Sequence, residues 1–175
     1  RYIPWLPAGV RDYLKAAIVA GPSSDVRLRI KGDMSKFPFA DAKAGTFQIA
    51  ARVNGAEFNY ADGWPRASAI NGELLFDGQA MRINAQRASV LGTRLSGVRA
   101  VIPDLFHSSE LLTVEGQAEG PTQEFLRFID ASPLARLLDG ATEDMRSAGN
   151  GRLQLKLDIP IRKVETTRVS GSYVL

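Results

Sequence analysis

The chain has 175 residues, enough for one ordinary domain with a real core. Its 22 Lys and Arg stand against 19 Asp and Glu, a net charge of +3 spread along the chain, which excludes the clustered basic stripe of a nucleic-acid binder. With no cysteine and one histidine, it has no disulfide framework, thiolate metal site or His-rich zinc site.

No apolar run of about 18 residues is present to span a bilayer. The chain starts on Arg1 and closes on Ser172-Tyr173-Val174-Leu175, which reads as a strand cut in mid-course. The expectation is one fragment, 1–175, excised from a longer protein.

The spacing of Val10, Tyr13, Leu14, Ala17 and Ile18 after Pro7 predicts a helix over 7–19. Gly21-Pro22-Ser23-Ser24 ends it. Strands are predicted over 24–119. Val26, Leu28 and Ile30 alternate with Arg27, Arg29 and Lys31. Those three cations share one strand face, either solvated or attracted to anionic headgroups or phosphate. Phe47, Ile49, Ala51 and Val53 form the next run, with Phe58 and Tyr60 after it. Ile70, Gly72, Leu74 and Phe76 follow, then Met81, Ile83 and Ala85. A period of two marks a half-buried strand. Asn54-Gly55, Asp62-Gly63, Asp77-Gly78, Leu91-Gly92 and Asn150-Gly151 read as turns, Asp77-Gly78 as the best hairpin. Gly32, Gly55, Gly72, Gly97, Gly116 and Gly171 sit in or at the ends of strands, where bulges or bends are expected.

A helical insertion is predicted over 121–139. Gly120-Pro121-Thr122 starts it, Ser132-Pro133 interrupts it, and Asp139-Gly140 ends it. Residues 141–150 read as loop. Strands resume over 149–175, with Leu153, Leu155, Leu157 and Ile159 alternating with Gln154, Lys156 and Asp158.

No catalytic constellation emerges. Asp139, Glu143 and Asp144 do not match a calcium loop. His107 lies near Asp104, Ser108 and Glu110 and reads as a loop histidine. Trp5 and Trp64 neighbour prolines and read as plugs at a sheet end, with a membrane-interface role as the alternative. No catalytic residue, metal or cofactor is expected.

The alternation makes the fold mainly β, an antiparallel sheet with one apolar face. Periodicity alone leaves a sandwich and an open trough level, since both bury one face per sheet. The order of several motifs adds a resemblance. Lys31-Gly32-Asp33-Met34 with Phe37-Pro38-Phe39 comes first, then Asn59-Tyr60-Ala61-Asp62-Gly63-Trp64-Pro65 and Gly72-Glu73-Leu74-Leu75-Phe76. Ile102-Pro103-Asp104-Leu105, Ser132-Pro133-Leu134 and Gly151-Arg152-Leu153-Gln154-Leu155-Lys156-Leu157-Asp158-Ile159-Pro160 complete the series. Together they resemble the central region of the YhdP-like proteins of the AsmA-like superfamily.

The resemblance implies a curved, twisted open trough or half-barrel of the bridge-like lipid transfer type. It implies a parent protein anchored in the inner membrane of a Gram-negative bacterium, with this segment in the periplasm. The implied ligand is phospholipid acyl chains, carried between inner and outer membrane. The candidate lipid-facing residues are Val26, Leu28, Ile30, Phe47, Ile49, Val53, Leu74, Phe76, Met81, Ile83, Leu153, Leu155 and Leu157. The other reading is a non-catalytic structural or interaction module of the cell envelope. About nine strands at roughly 4.8 Å spacing give a width of about 40 Å, one section of a conduit. Its edges would meet neighbouring segments of the parent chain or, in the isolated fragment, pair with another copy. The helical insertion is expected to lean on the trough and fill part of it.

Overall fold

The computed structural model describes residues 18–20, 23–37, 39–41, 43–60, 62–106, 111–142, 144–163 and 166–174. Among these residues nine strands build one sheet: β1 (Ile18–Ala20), β2 (Ser23–Gly32), β3 (Gly45–Phe58), β4 (Ala67–Asp77), β5 (Ala80–Val90), β6 (Thr93–Ile102), β7 (Leu111–Pro121), β8 (Asn150–Pro160) and β9 (Arg168–Val174). Two helices, α1 (Thr122–Asp130) and α2 (Leu134–Leu137), interrupt it between β7 and β8. Every pairing is antiparallel, and strand order follows the chain from β3 to β9. β1 and β2 lie end to end along the same side of β3. Among the described residues β9 pairs with β8 alone, so the sheet stays open. The fold is therefore mainly β, an unclosed curved antiparallel sheet with two short helices. Eight strand positions make it about 34 Å wide at the usual spacing.

Register carries the alternation from strand to strand. Leu28 pairs with Ile49, Ile49 with Phe76, and Phe76 with Met81. One level further along, Leu74 pairs with Ile83, Ile83 with Ala100, Ala100 with Val114, Val114 with Leu157 and Leu157 with Val169. Directly opposed residues share a face, so these ladders make one continuous apolar inner face. The outer face is charged and tied sideways. Arg52 lies 3.4 Å from Glu73 and 3.7 Å from Asp25, Arg82 lies 3.5 Å from Asp77, and Lys156 lies 3.4 Å from Glu115.

A row of irregularities crosses β2 to β6 and bends the sheet. Asp25 (φ 56°), Gly55 (φ 66°), Ala69 (φ 49°) and Gly97 (φ 58°) occur at or beside register shifts or resets of the alternation. Gln86 and Arg87 are both exposed, as are Ser96 and Gly97 opposite them. Asn71 ties the crease together, accepting from Gly55 N–H at 3.1 Å and donating to the Ala69 carbonyl at 3.2 Å. Bulges raise local twist and curvature.

Two expected turns are corrected here. Asn54-Gly55 lies inside β3, because Gly55 spends its positive φ on a bulge. Asn150-Gly151 opens β8 and pairs with Pro121 and Gly120. Gly151 is needed for close approach instead, since a Cβ there would collide with the Tyr173 ring. The Asp77-Gly78 hairpin forms, with Asp77 opposite Ala80 and Gly78 at φ 56°. At Leu91-Gly92 both residues take positive φ, 49° and 83°, the backbone of a tight two-residue hairpin. Of the helix expected over 7–19, residues 7–17 lie outside the described residues, and Ile18–Ala20 is strand β1. It pairs with β3 at Phe58 and Glu57. The insertion over 121–139 does form two helices, broken at Ser132-Pro133.

Side-chain size divides the inner face. At the end nearest the Asp77-Gly78 hairpin, Phe47, Phe76, Met81, Ile102, Leu112 and Ile159 are all nearly inaccessible, packed with Phe39 and Leu105 from the adjoining loops. Each such side chain contributes roughly 1.5–3 kcal/mol when fully buried. Toward the Leu91-Gly92 end the face is paved with small residues: Ala56, Ala85 and Ala88 are buried there with Ile70, and Ala118 lies on β7.

Candidate functional site

Over the small-residue half of the inner face lies a cavity of about 510 Å³. Its floor includes Ala85, Ala88, Ala100, Gly116 and Ala118, and its walls include Ile83, Val114 and Leu155. Phe125, Phe128 and Ile129 of α1 and Leu134 of α2 form the roof. The space has a local cause. Alanine and glycine leave room above the sheet, while Phe125 of α1 packs on Tyr173 and Phe128 on Trp64. Glycines keep the floor low. A Cβ on Gly116 would lie 3.1 Å from Val98 Cγ2.

The lining is overwhelmingly apolar. Among the described residues it includes no Lys, Arg, His or Asp, and one carboxylate residue, Glu115. That carboxylate belongs to the outer face, where Lys156 lies 3.4 Å away. The other polar side chains of the lining are those of Thr93, Gln117, Thr167, Ser172, Tyr60 and Tyr173. Burial pushes the Tyr60 phenol well above its ordinary range, so it stays neutral. The cavity volume falls within the usual range of small-molecule sites, about 300–1,000 Å³. Its strands, β3 to β9, span six spacings, about 29 Å across the sheet. One leaflet of a bilayer's hydrocarbon core is roughly 15 Å thick, shorter than this span.

The residues expected to face lipid fall into three groups. Ile83, Leu153, Leu155 and Leu157 line the cavity. Phe47, Phe76 and Met81 are sealed in the filled end, with Ile49 and Leu74 packed against them, while Val53 packs on the alanine cluster. Val26, Leu28 and Ile30 share the open edge strand β2 and are 59%, 57% and 37% exposed. Sequence reading missed the alanines of the floor and the whole contribution of β6 and β7, while the helical insertion expected to lean on the trough does line it with Phe125, Phe128 and Ile129. Ala100, Ala118 and Gly116 carried a signal, since each sits at an inward position of its strand.

Among the described residues no catalytic constellation is brought together. Asp104 accepts from the Phe106 N–H at 2.8 Å, a turn contact. His107, Ser108, Glu110 and Glu143 lie outside the described residues, as does Trp5. No group of His, Asp and Glu among the described residues has the geometry of a metal site. No described helix is long and apolar enough to cross a membrane. Trp64 is buried against Phe128 and Tyr60, its ring centroid 5.8 and 6.0 Å from theirs.

A family model described as "YhdP protein" matches residues 1–175. The chain is 28% identical over 150 residues to "Intermembrane phospholipid transporter YhdP" of Escherichia coli (strain K12). The match covers 86% of this chain and spans about 12% of the length of that relative. No solved structure matches.

Proposed function

The chain belongs to the YhdP protein family, and from that premise we propose that it is one section of a periplasmic lipid conduit. In this reading it holds phospholipid acyl chains in its apolar trough between the inner and outer membranes of a Gram-negative bacterium. The parent protein is anchored in the inner membrane, and the segment itself is non-catalytic. The observation that carries the reading is the cavity over the alanine and glycine floor. Left vacant, this half-open space of about 510 Å³ keeps its apolar lining in contact with water. A sixteen-carbon chain leaving water gains on the order of 10 kcal/mol. The space therefore suits an apolar occupant better than vacancy. With no cation among the described lining residues, the headgroup stays at the solvent-facing side and selection acts on the chain.

Two further parts of the reading concern the edges. β9 is exposed along its whole length, and β2 is exposed from Asp25 to Gly32. Such edges fit pairing with neighbouring segments of the parent chain, or with another copy in the isolated fragment. Native mass spectrometry of protein purified without an extraction step tests the lipid reading. Co-purifying phospholipid at a fixed stoichiometry is expected. A lipid-free protein that also refuses added phospholipid would leave the second reading, a structural β-module of the envelope. That alternative draws support from the filled end, which is packed like an ordinary core around Met81, Ile102, Leu112 and Ile159.

A further inference from the structure

Residues 122–149 leave the sheet and return to it at a single point. Gly120 pairs with Gly151 and Pro121 with Asn150, and the Thr122 N–H donates to the Gly149 carbonyl at 3.0 Å. Gly149, at φ 92°, sits in this stalk. Beyond the stalk the segment is braced internally. The Thr142 hydroxyl donates to Asp130 at 2.7 Å, and the Ser147 N–H donates to the Gln123 side chain at 3.0 Å. These struts tie α1 to the returning loop, so the segment holds its shape as one body. Its far end reaches across the inner face to the loop between β3 and β4. There Phe128 stacks at a tilt on Trp64, and Pro133 lies against Gly63. The contacts of Phe128 and Pro133 at this latch are apolar. Trp64 itself is 4% exposed, and its indole N–H is buried without an acceptor. A buried donor without a partner is destabilising, and the cost disappears once the indole reaches water.

We propose that residues 122–149 are a hinged lid, with its stalk at Gly120–Pro121 and Gly149–Asn150 and its latch at Trp64. It swings open as one body and exposes the trough sideways. Phe125 against the Tyr173 ring and the buried Leu134 add to the grip of the closed state, and the unpartnered indole lowers the cost of leaving it. This rests on the lipid reading only for what passes through the opening; the motion itself needs no lipid.

Amide hydrogen exchange on the lipid-free 175-residue chain tests it. The amides of α1 and α2 should exchange at one shared rate, about 100-fold or more faster than those of β4, β5 and β6. A cross-linked variant reads the same motion without touching the latch. Asp62→Cys with Ala131→Cys, in a chain with no native cysteine, allows a bismaleimide to tether lid to loop. The tether should bring lid exchange toward the core rate. Lid and core amides exchanging together, or lid exchange unmoved by the tether, would overturn the proposal. Either result leaves the lipid reading intact, since no lipid is present.

Discussion

Replacing Ala85 with leucine separates a vacant trough from a closed core. Ala85 is 3% exposed and lines the cavity, with Gly72 and Val98 directly opposite on the neighbouring strands. Enlarging a buried alanine in a packed core costs roughly 1–3 kcal/mol. Here the added carbons enter open apolar space instead. Three of them at about 0.8 kcal/mol each give roughly 2.4 kcal/mol. Fixing the leucine rotamer takes back about 0.5–1 kcal/mol. The lipid-free variant should therefore be more stable by about 1.5 kcal/mol. In urea, with a slope of about 1–3 kcal/mol per molar, the midpoint should rise by roughly 0.5–1.5 M with the slope unchanged. Lipid carried through purification should fall at the same time, because the floor has been raised. Met81→Ala, at the filled end and fully buried, is the control, with an expected loss of about 2–5 kcal/mol. An Ala85→Leu protein destabilised by 1–3 kcal/mol with unchanged lipid content would refute the reasoning, since it would mean that the floor is already packed.

Three other perturbations read other parts of the structure. Gly72→Ala drives a Cβ into the Asn84 carbonyl and Ala85 and should cost about 1–3 kcal/mol by chemical denaturation. Arg52→Ala removes outer-face contacts of a side chain 62% exposed; it should cost less than about 1 kcal/mol and leave lipid content unchanged. Tyr60 gives an alkaline signature. Burial raises its folded pKa above the ordinary 10.0, so its contribution is complete below pH 10. As pH climbs past 10 the unfolded chain loses this proton while the folded one keeps it, and stability declines. Tyr60→Phe should flatten that decline in denaturation midpoints measured from pH 9 to 11.

Much of the sheet was legible because a period of two is a local signal. Leu74 and Ile83 announce their face without knowledge of any partner strand, and the Asp77-Gly78 hairpin follows from two adjacent residues. The Ser132-Pro133 break in the helical insertion was readable for the same reason. Asn54-Gly55 misled because a glycine at positive φ serves a bulge as well as a turn, and the choice is made by Asn71 on the next strand. Asn150-Gly151 misled because its glycine is set by Tyr173, some twenty residues on. The site was less legible than the sheet. Large apolar residues such as Phe47 and Phe76 look like ligand contacts in sequence, yet in the fold they satisfy one another. What defines the cavity is the absence of side chain at Ala85, Ala100 and Gly116, and an absence has meaning only once the opposite wall is known.

That distinction decides between sandwich and trough where periodicity does not. A sandwich needs both halves of the inner face filled, and one half here is filled, around Met81, Ile102, Leu112 and Ile159. The other half has been left low by alanine and glycine on successive strands and roofed by a segment that returns to its own stalk. The vacant half runs across the strands, from β3 to β9. Each further strand of the same pattern would lengthen it by about 4.8 Å without any new kind of contact. Under the conduit proposal, a sheet built this way would extend a lipid path by repetition. The crease through Gly55 and Gly97 supplies curvature to the sheet.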